Sequence, residues 1–357
     1  MKRMLPLWFA TALGLGGCLE EASDAPDEDA LASSDETVWT TRLPLDASFT
    51  NTDLVHADGR IGALLRNGDN GGATLIVLGE DGGIAWTQSL GTEGVLAAEL
   101  STDGQRMVVA QLYRPKTYEE AYHAFVVYES DGTRAWSGVG EPGESGALRV
   151  QIVGDAVAVG TQVEALEADG NSSNEATVVM HHEGYIAWSW TRAGRGSSSL
   201  DAMEVLDDGS VVVAGTTTDT SGPPYWVARL SADGEEQWYR GLDTGAPVSR
   251  VVSRADGGVA LVFSEVMLIL GPDGAPVREQ LYDTPLLPKD LEYRGDRLVA
   301  VSVGGSVLLG LTSEGDAAFD QVLPFRADRS TWVDEDFVIS AIDAETRELV
   351  VARIPVE

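Results

Sequence analysis

Cysteine is almost missing from this chain: Cys18 is the only one in 357 residues, so no intramolecular disulfide can staple the fold. Histidine is scarce as well. Of the four, His56 and His123 have no Cys or second His near them, and the adjacent pair His181-His182 falls where related segments have a turn. Neighbouring residues in an extended segment point apart, so that pair reads as an exposed turn and not as a metal site. Basic residues are few: 24 Lys and Arg against 57 Asp and Glu leave a formal charge of −33. Such a balance argues against nucleic acid or an anionic membrane surface as a direct partner of the folded part. The apolar stretch from Leu5 to Gly17 is too short to cross a bilayer as a helix. There is no Gly-x-Ser-x-Gly elbow, phosphate loop or His-Glu-x-x-His. The Asp-rich pieces at Asn67 and Asp169 lack the ligand spacing of a calcium loop. No metal, cofactor or catalytic residue is therefore expected.

What the chain has instead is a repeat. WVARLSADGEEQW, from Trp226 to Trp238, joins an apolar-alternating run, an Asp-Gly turn and a Trp four residues after the Gly. Variants end at Trp86, Trp136 and Trp188, and degenerate copies end at Arg278 and Phe319. Asp-Gly between alternating apolar runs predicts a hairpin, with the Trp on its second strand packed against a neighbouring unit. A second motif accompanies the first, as in ADGRIGALL from Ala57 and DDGSVVVAG from Asp207, and it occurs seven times. Each unit then has four strands, A to D, the pattern of an all-β, seven-bladed β-propeller. The last unit lacks a D strand after ELVVARIPVE, while a D-like strand, VWTTRLPL, stands unmatched from Val38. ELVVARI aligns with YWVARL, so the N-terminal strand is expected to pair with the C-terminal blade and close the ring. Residues 38–357 form this domain, a ring made by one chain.

Upstream, Lys2 and Arg3 precede the apolar stretch in the three-part form of an export signal. Leu15-Gly16-Gly17-Cys18 resembles the lipobox of bacterial lipoproteins. That resemblance implies cleavage after residue 17, lipid on Cys18 and a place in the cell envelope, most simply at the outer membrane, with several acyl chains anchoring it. Residues 18–37 carry eight acidic residues and no basic one, which predicts a disordered tether. The body beyond it keeps 49 acidic against 22 basic residues.

The repeat itself resembles the pyrroloquinoline-quinone-like and WD-like propeller repeats of bacteria. A sole cysteine weakens a quinone-binding reading, because the vicinal disulfide found in many of those dehydrogenases needs two. The layout is similar to that of lipoprotein propellers of the outer-membrane assembly scaffold type.

The repeats differ in one place. Gly82, Gly132, Gly184 and Gly234 are 50, 52 and 50 residues apart, but Gly274 and Gly315 follow at 40 and 41. The extra residues lie between strands B and C of the second to fourth units, and in a propeller those connections share a face with the D-A connections. A wall on that face is expected, with Tyr118, Glu119, Glu120, Tyr122, Glu164, Glu167, Asp169, Pro223 and Tyr225 as candidate contacts for a protein or cationic ligand. The expected function is non-catalytic binding or scaffolding. The alternative is an enzyme, a hydrolase, lyase or dehydrogenase, with a site in the central channel. Asp53, Glu99, Arg149, Asp201, Arg250 and Asp290 are its candidate charges, and their convergence in a deep pocket would favour it.

Overall fold

The computed structural model describes residues 37–45, 49–67, 72–91, 95–114, 120–166, 172–192, 196–263, 266–281, 291–294, 297–301, 307–312, 317–334 and 336–355. The signal, Cys18 and the acidic tether lie outside them. Among the described residues every regular element is a strand. No helix there is long and apolar enough to cross a membrane.

The strands form seven four-stranded antiparallel sheets. Numbered in chain order, sheet I lies within 49–89, II within 95–139, III within 144–191, IV within 198–242, V within 250–281 and VI within 291–322. Sheet VII takes strands A to C from 329–355 and its fourth, Trp39–Pro44, from the N-terminal end of the body. Trp39 stands opposite Arg353 there, as Trp238 stands opposite Arg229 in sheet IV. The chain is an all-β propeller.

The burial pattern follows from stacking sheets face to face. Strand B of sheet I, Arg60–Asn67, has five consecutive buried residues because both its faces are covered. Ile61, Ala63 and Leu65 meet Val338 and Val351 of sheet VII, whereas Leu64 meets Leu100 and Met107 of sheet II. Central strands are therefore largely buried and mainly apolar, whereas the D strands of sheets I to IV are more exposed. Full burial of such a Leu or Ile stabilises by about 1.5–3 kcal/mol.

The Trp of three of the four intact repeats is a hydrogen-bonded joint between sheets; Trp136 packs against Phe125, and its buried indole N–H closes no hydrogen bond. Trp188 packs on the turn at Gly234 and donates its indole N–H to Ala232 O at 2.7 Å. Trp86 reaches Ser130 O in the same way at 3.1 Å, and Trp238 reaches Pro272 O at 3.0 Å. Gly234 closes a turn onto Ser231 O at 2.9 Å with φ of 84°. That conformation costs an L-residue about 1–2 kcal/mol, and the space a side chain would take is filled by Trp188.

Sheet III departs from this turn. His182 pairs with Tyr185 across only Glu183 and Gly184, both with positive φ, which is the primed two-residue hairpin. The tighter turn draws His181 and His182 into the ladder of strand C, Ser172–His182. The expectation of an exposed turn is corrected for His181, which is fully buried; His182 does face solvent.

Candidate functional site

Two of the places that gather chemistry among the described residues are the wall above sheets II to IV and the channel between the A strands.

The wall is built less of loops than its sequence implies. In sheet III the B-C ladder continues from Glu164↔Asn174 to Leu166↔Ser172, so the insertion is a lengthened hairpin. Tyr122 opens strand C of sheet II opposite Tyr113, and Tyr225 opens strand C of sheet IV opposite Thr216. Both rings are half-buried, Tyr122 edge-on to Tyr113 at 5.7 Å. Glu120, Glu164 and Pro223 are exposed. Tyr118, Glu119, Glu167 and Asp169 lie outside the described residues.

Hydrogen bonds tie the bases of these connections together. Gly143 N and Glu144 N both donate to Ala121 O at 3.0 Å, and Glu164 N donates to Gly143 O at 3.3 Å. Asn174 N donates to Ser197 Oγ at 3.1 Å, and Thr218 N to Ser197 O at 2.9 Å. The three B-C connections and two intervening D-A connections thus form one continuous seam.

The channel holds a cavity of about 690 Å³. Asp53, Glu99, Arg149 and Arg250 line it as expected, with Gln151, Glu204 and Arg329 added. Asp290 lies outside the described residues. Asp201 does not line the cavity, because a bulge between Leu200 and Ala202 shifts the alternation of strand A, Ser198–Val205, and turns Glu204 inward instead. The Asp201 carboxylate accepts from Ser199 Oγ at 2.9 Å and Thr216 Oγ1 at 2.5 Å.

Carboxylates and arginines do converge here, the feature that would favour an enzyme, but the bonds they make give them another task. A strand A is the inner edge of its sheet, so its outward backbone groups lack a ladder partner. Side chains from the preceding sheet supply it. Asp53 Oδ2 accepts from Leu100 N at 3.0 Å, Glu204 Oε1 from Ser253 N at 3.4 Å, and Gln151 Oε1 from Val205 N. Arg149 donates to Asp201 O through Nε at 2.8 Å and Nη2 at 2.6 Å, and lies 3.7 Å from Glu99. Burial pushes the Glu99 carboxyl above the ordinary range against the pull of Arg149 and Arg250. Burial likewise raises Glu204, opposed by its bonds to Gln151 and Ser253. These side chains lace neighbouring inner strands together.

One constellation was invisible in the sequence. His123 Nε2 lies 2.8 Å from His181 Nε2, and Glu144 Oε1 lies 2.6 Å from His123 Nδ1. The statement that His123 has no histidine near it is overturned: strand C of sheet II and strand C of sheet III bring together residues 58 positions apart. Glu144 is set there by its bridge to Ala121, at the base of the long connection, and by its pairing with Val163. Among the described residues no group of three His, Cys, Asp or Glu is arranged to hold a metal.

Comparison with known proteins yields no matching family model and no matching curated protein. Solved structures do match. BamB from Moraxella catarrhalis is 15% identical, with 89% of this chain and 99% of that one covered at a TM-score of 0.50. Saccharomyces cerevisiae Sqt1 is 10% identical, covering 88% and 100% at 0.53. BBS1N, solved in complex with ARL6DN, is 12% identical, covering 89% and 96% at 0.55. At such identities the likeness is one of fold, and it places the chain among the β-propellers of the BamB and WD40 type in architecture alone.

Proposed function

We propose that this protein is a lipid-anchored envelope propeller that binds a protein partner, without catalysis, through the wall above sheets II to IV. The observation carrying this reading is the continuous seam of hydrogen bonds that ties the bases of the three B-C connections into one platform. The platform presents Glu120, Glu164 and Pro223 to solvent, with Tyr122 and Tyr225 as half-buried anchors. Tyr118, Glu119, Glu167 and Asp169 extend it in the proposal. A face with these acids suits a partner carrying basic residues, since complementary charge steers encounter and rejects wrong partners. A neighbour such as BBS1N, solved with ARL6DN, gives a precedent for a propeller of this architecture in a protein complex.

The platform is tested by replacing 115–119, 167–171 and 219–223 with short turns in a chain released from the membrane by Cys18→Ser. The variant should keep the wild-type circular dichroism and melting profile and lose capture of the partner that the untrimmed chain retains. Equal capture by both would refute the platform. The anchor has its own test: wild-type chain should partition with membranes and the Cys18→Ser chain with the soluble fraction, and identical partitioning would refute lipidation.

A channel site is the second reading, favoured by the convergence of Glu99, Glu204, Arg149, Arg250 and Arg329 around one cavity. It ranks below the first because the hydrogen bonds of Asp53, Gln151, Arg149 and Glu204 already join one inner strand to the next.

A further inference from the structure

We propose that His123 and His181 form a one-proton latch between sheets II and III, closed while a single proton lies between the two imidazoles and opened when acid supplies a second. The inference stands on the geometry of the pair and does not depend on the docking reading.

Glu144 grips His123 twice. Its Oε2 accepts from the His123 backbone N–H at 2.6 Å and its Oε1 meets Nδ1 at 2.6 Å. A carboxylate only accepts, so Nδ1 carries its proton toward Glu144. Nε2 is then the remaining variable on His123, and it faces His181 Nε2 at 2.8 Å. Two ring nitrogens at that distance accommodate one N–H between them. With none, two lone pairs oppose each other; with one on each, two N–H groups collide.

The surroundings prevent the rings from turning away. His123 and His181 are fully buried and Glu144 nearly so. Phe125 stacks beside His123 and stands edge-on to His181 at 4.8 Å, with Trp136 behind it. A methyl group placed on Gly140 would come within 2.1 Å of His123 Cε1, so the ring fills the space that a side chain there would need. His181 Nδ1 is buried and closes no well-formed hydrogen bond, the Gly184 carbonyl adding only a weak pull toward the charged form.

Among the described residues, the charged and titratable groups facing the pair are few. Strand C of sheet II brings His123, strand A of sheet III brings Glu144 and strand C of sheet III brings His181, while strand D of sheet II offers Trp136 and Gly138. Glu144 lies on His123, on the far side from His181. Burial first, and His123 second, hold the acid form of His181 down to about 4.

Opening the latch would act at the seam. Glu144 is bridged to Ala121 and paired with Val163, so the same residue that clamps His123 also fastens the B-C connection of sheet II to the long hairpin of sheet III.

Amide hydrogen exchange on the full chain tests this between pH 7 and pH 4.5, with rates corrected for the intrinsic pH dependence. Protection at Gly140, Gly143 and Glu144 should fall on the order of thirtyfold more than at the sheet V amides, as expected when opening lets a depressed histidine regain its ordinary pKa. His181→Gln, which keeps one hydrogen bond to His123 and does not titrate, should abolish the difference. Equal loss of protection in sheets II and V, or an unchanged difference in His181→Gln, would overturn the latch. Should that variant not fold, nitrogen-15 spectra of the wild-type imidazoles decide: protonation of His181 must coincide with loss of seam protection, and protonation without it would overturn the proposal.

Discussion

Replacing Arg229 with methionine should lower the unfolding free energy by about 3 kcal/mol. Arg229 lies in strand C of sheet IV with its side chain 8% exposed, and it reaches four groups. Nε donates to Ser210 Oγ at 3.1 Å, Nη2 to Asp208 Oδ2 at 2.7 Å, and Nη1 to Gly257 O at 3.0 Å and Pro272 O at 3.1 Å. Asp208 is 60% exposed, so its ion pair is screened and contributes the smaller part. The two carbonyls belong to turns of sheet V; methionine fills the volume and leaves Gly257 O without its donor, whereas Pro272 O keeps the Trp238 indole N–H at 3.0 Å. The stranded part-buried acceptor, together with the lost charge-assisted bonds to Ser210 and Asp208, accounts for about 3 kcal/mol. Arg353, at the aligned place in sheet VII, gives the contrast. Its bonds run to Asp336 at 2.7 Å and Asp334 at 3.5 Å within its own sheet's strand-turn-strand unit, so Arg353→Met should cost about half as much. Denaturant midpoints of both variants measure the difference; equal losses would show that bridging to the next sheet is not what Arg229 contributes.

The second large effect belongs to the tryptophan joint. Gly234→Ala should destabilise by about 2–4 kcal/mol, from positive-φ strain plus overpacking. The added methyl would stand 2.7 Å from Trp188 Cδ2, a ring held by its indole bond and unable to retreat. Gly209→Ala is the control. Its φ is 78°, and a methyl there would meet only Ala232 Cβ at 3.4 Å, so strain alone remains, about 1–2 kcal/mol. Thermal unfolding monitored by tryptophan fluorescence separates the two. If both variants lose the same stability, Trp188 yields to a methyl and the joint is softer than its geometry implies.

Features that depend on local pattern were readable before any coordinates. The Gly-x-x-x-Trp repeat gave the hairpins because turn geometry is set within a few residues, and the alignment of ELVVARI with YWVARL anticipated Trp39 opposite Arg353. The wall was readable as a difference in spacing, since an insertion leaves its length in the chain. Phase was harder. Asp201 seemed to point into the channel, but one bulged residue after Leu200 reverses inside and outside, and Glu204 takes its place. A two-residue hairpin at Glu183-Gly184 in place of the longer turn likewise moved His181 from surface to interior.

Sequence alone thus determined the β class, the repeat, the joints and the strand that completes sheet VII, because each follows from side-chain alternation and turn chemistry over short stretches. Tertiary structure alone decided what the charged and titratable residues do. Channel carboxylates became fasteners because inner edge strands leave backbone donors that a neighbouring sheet must satisfy. His123, Glu144 and His181 became one hydrogen-bonded cluster because stacking two sheets brings distant positions within 2.8 Å, a proximity that no local spacing encodes.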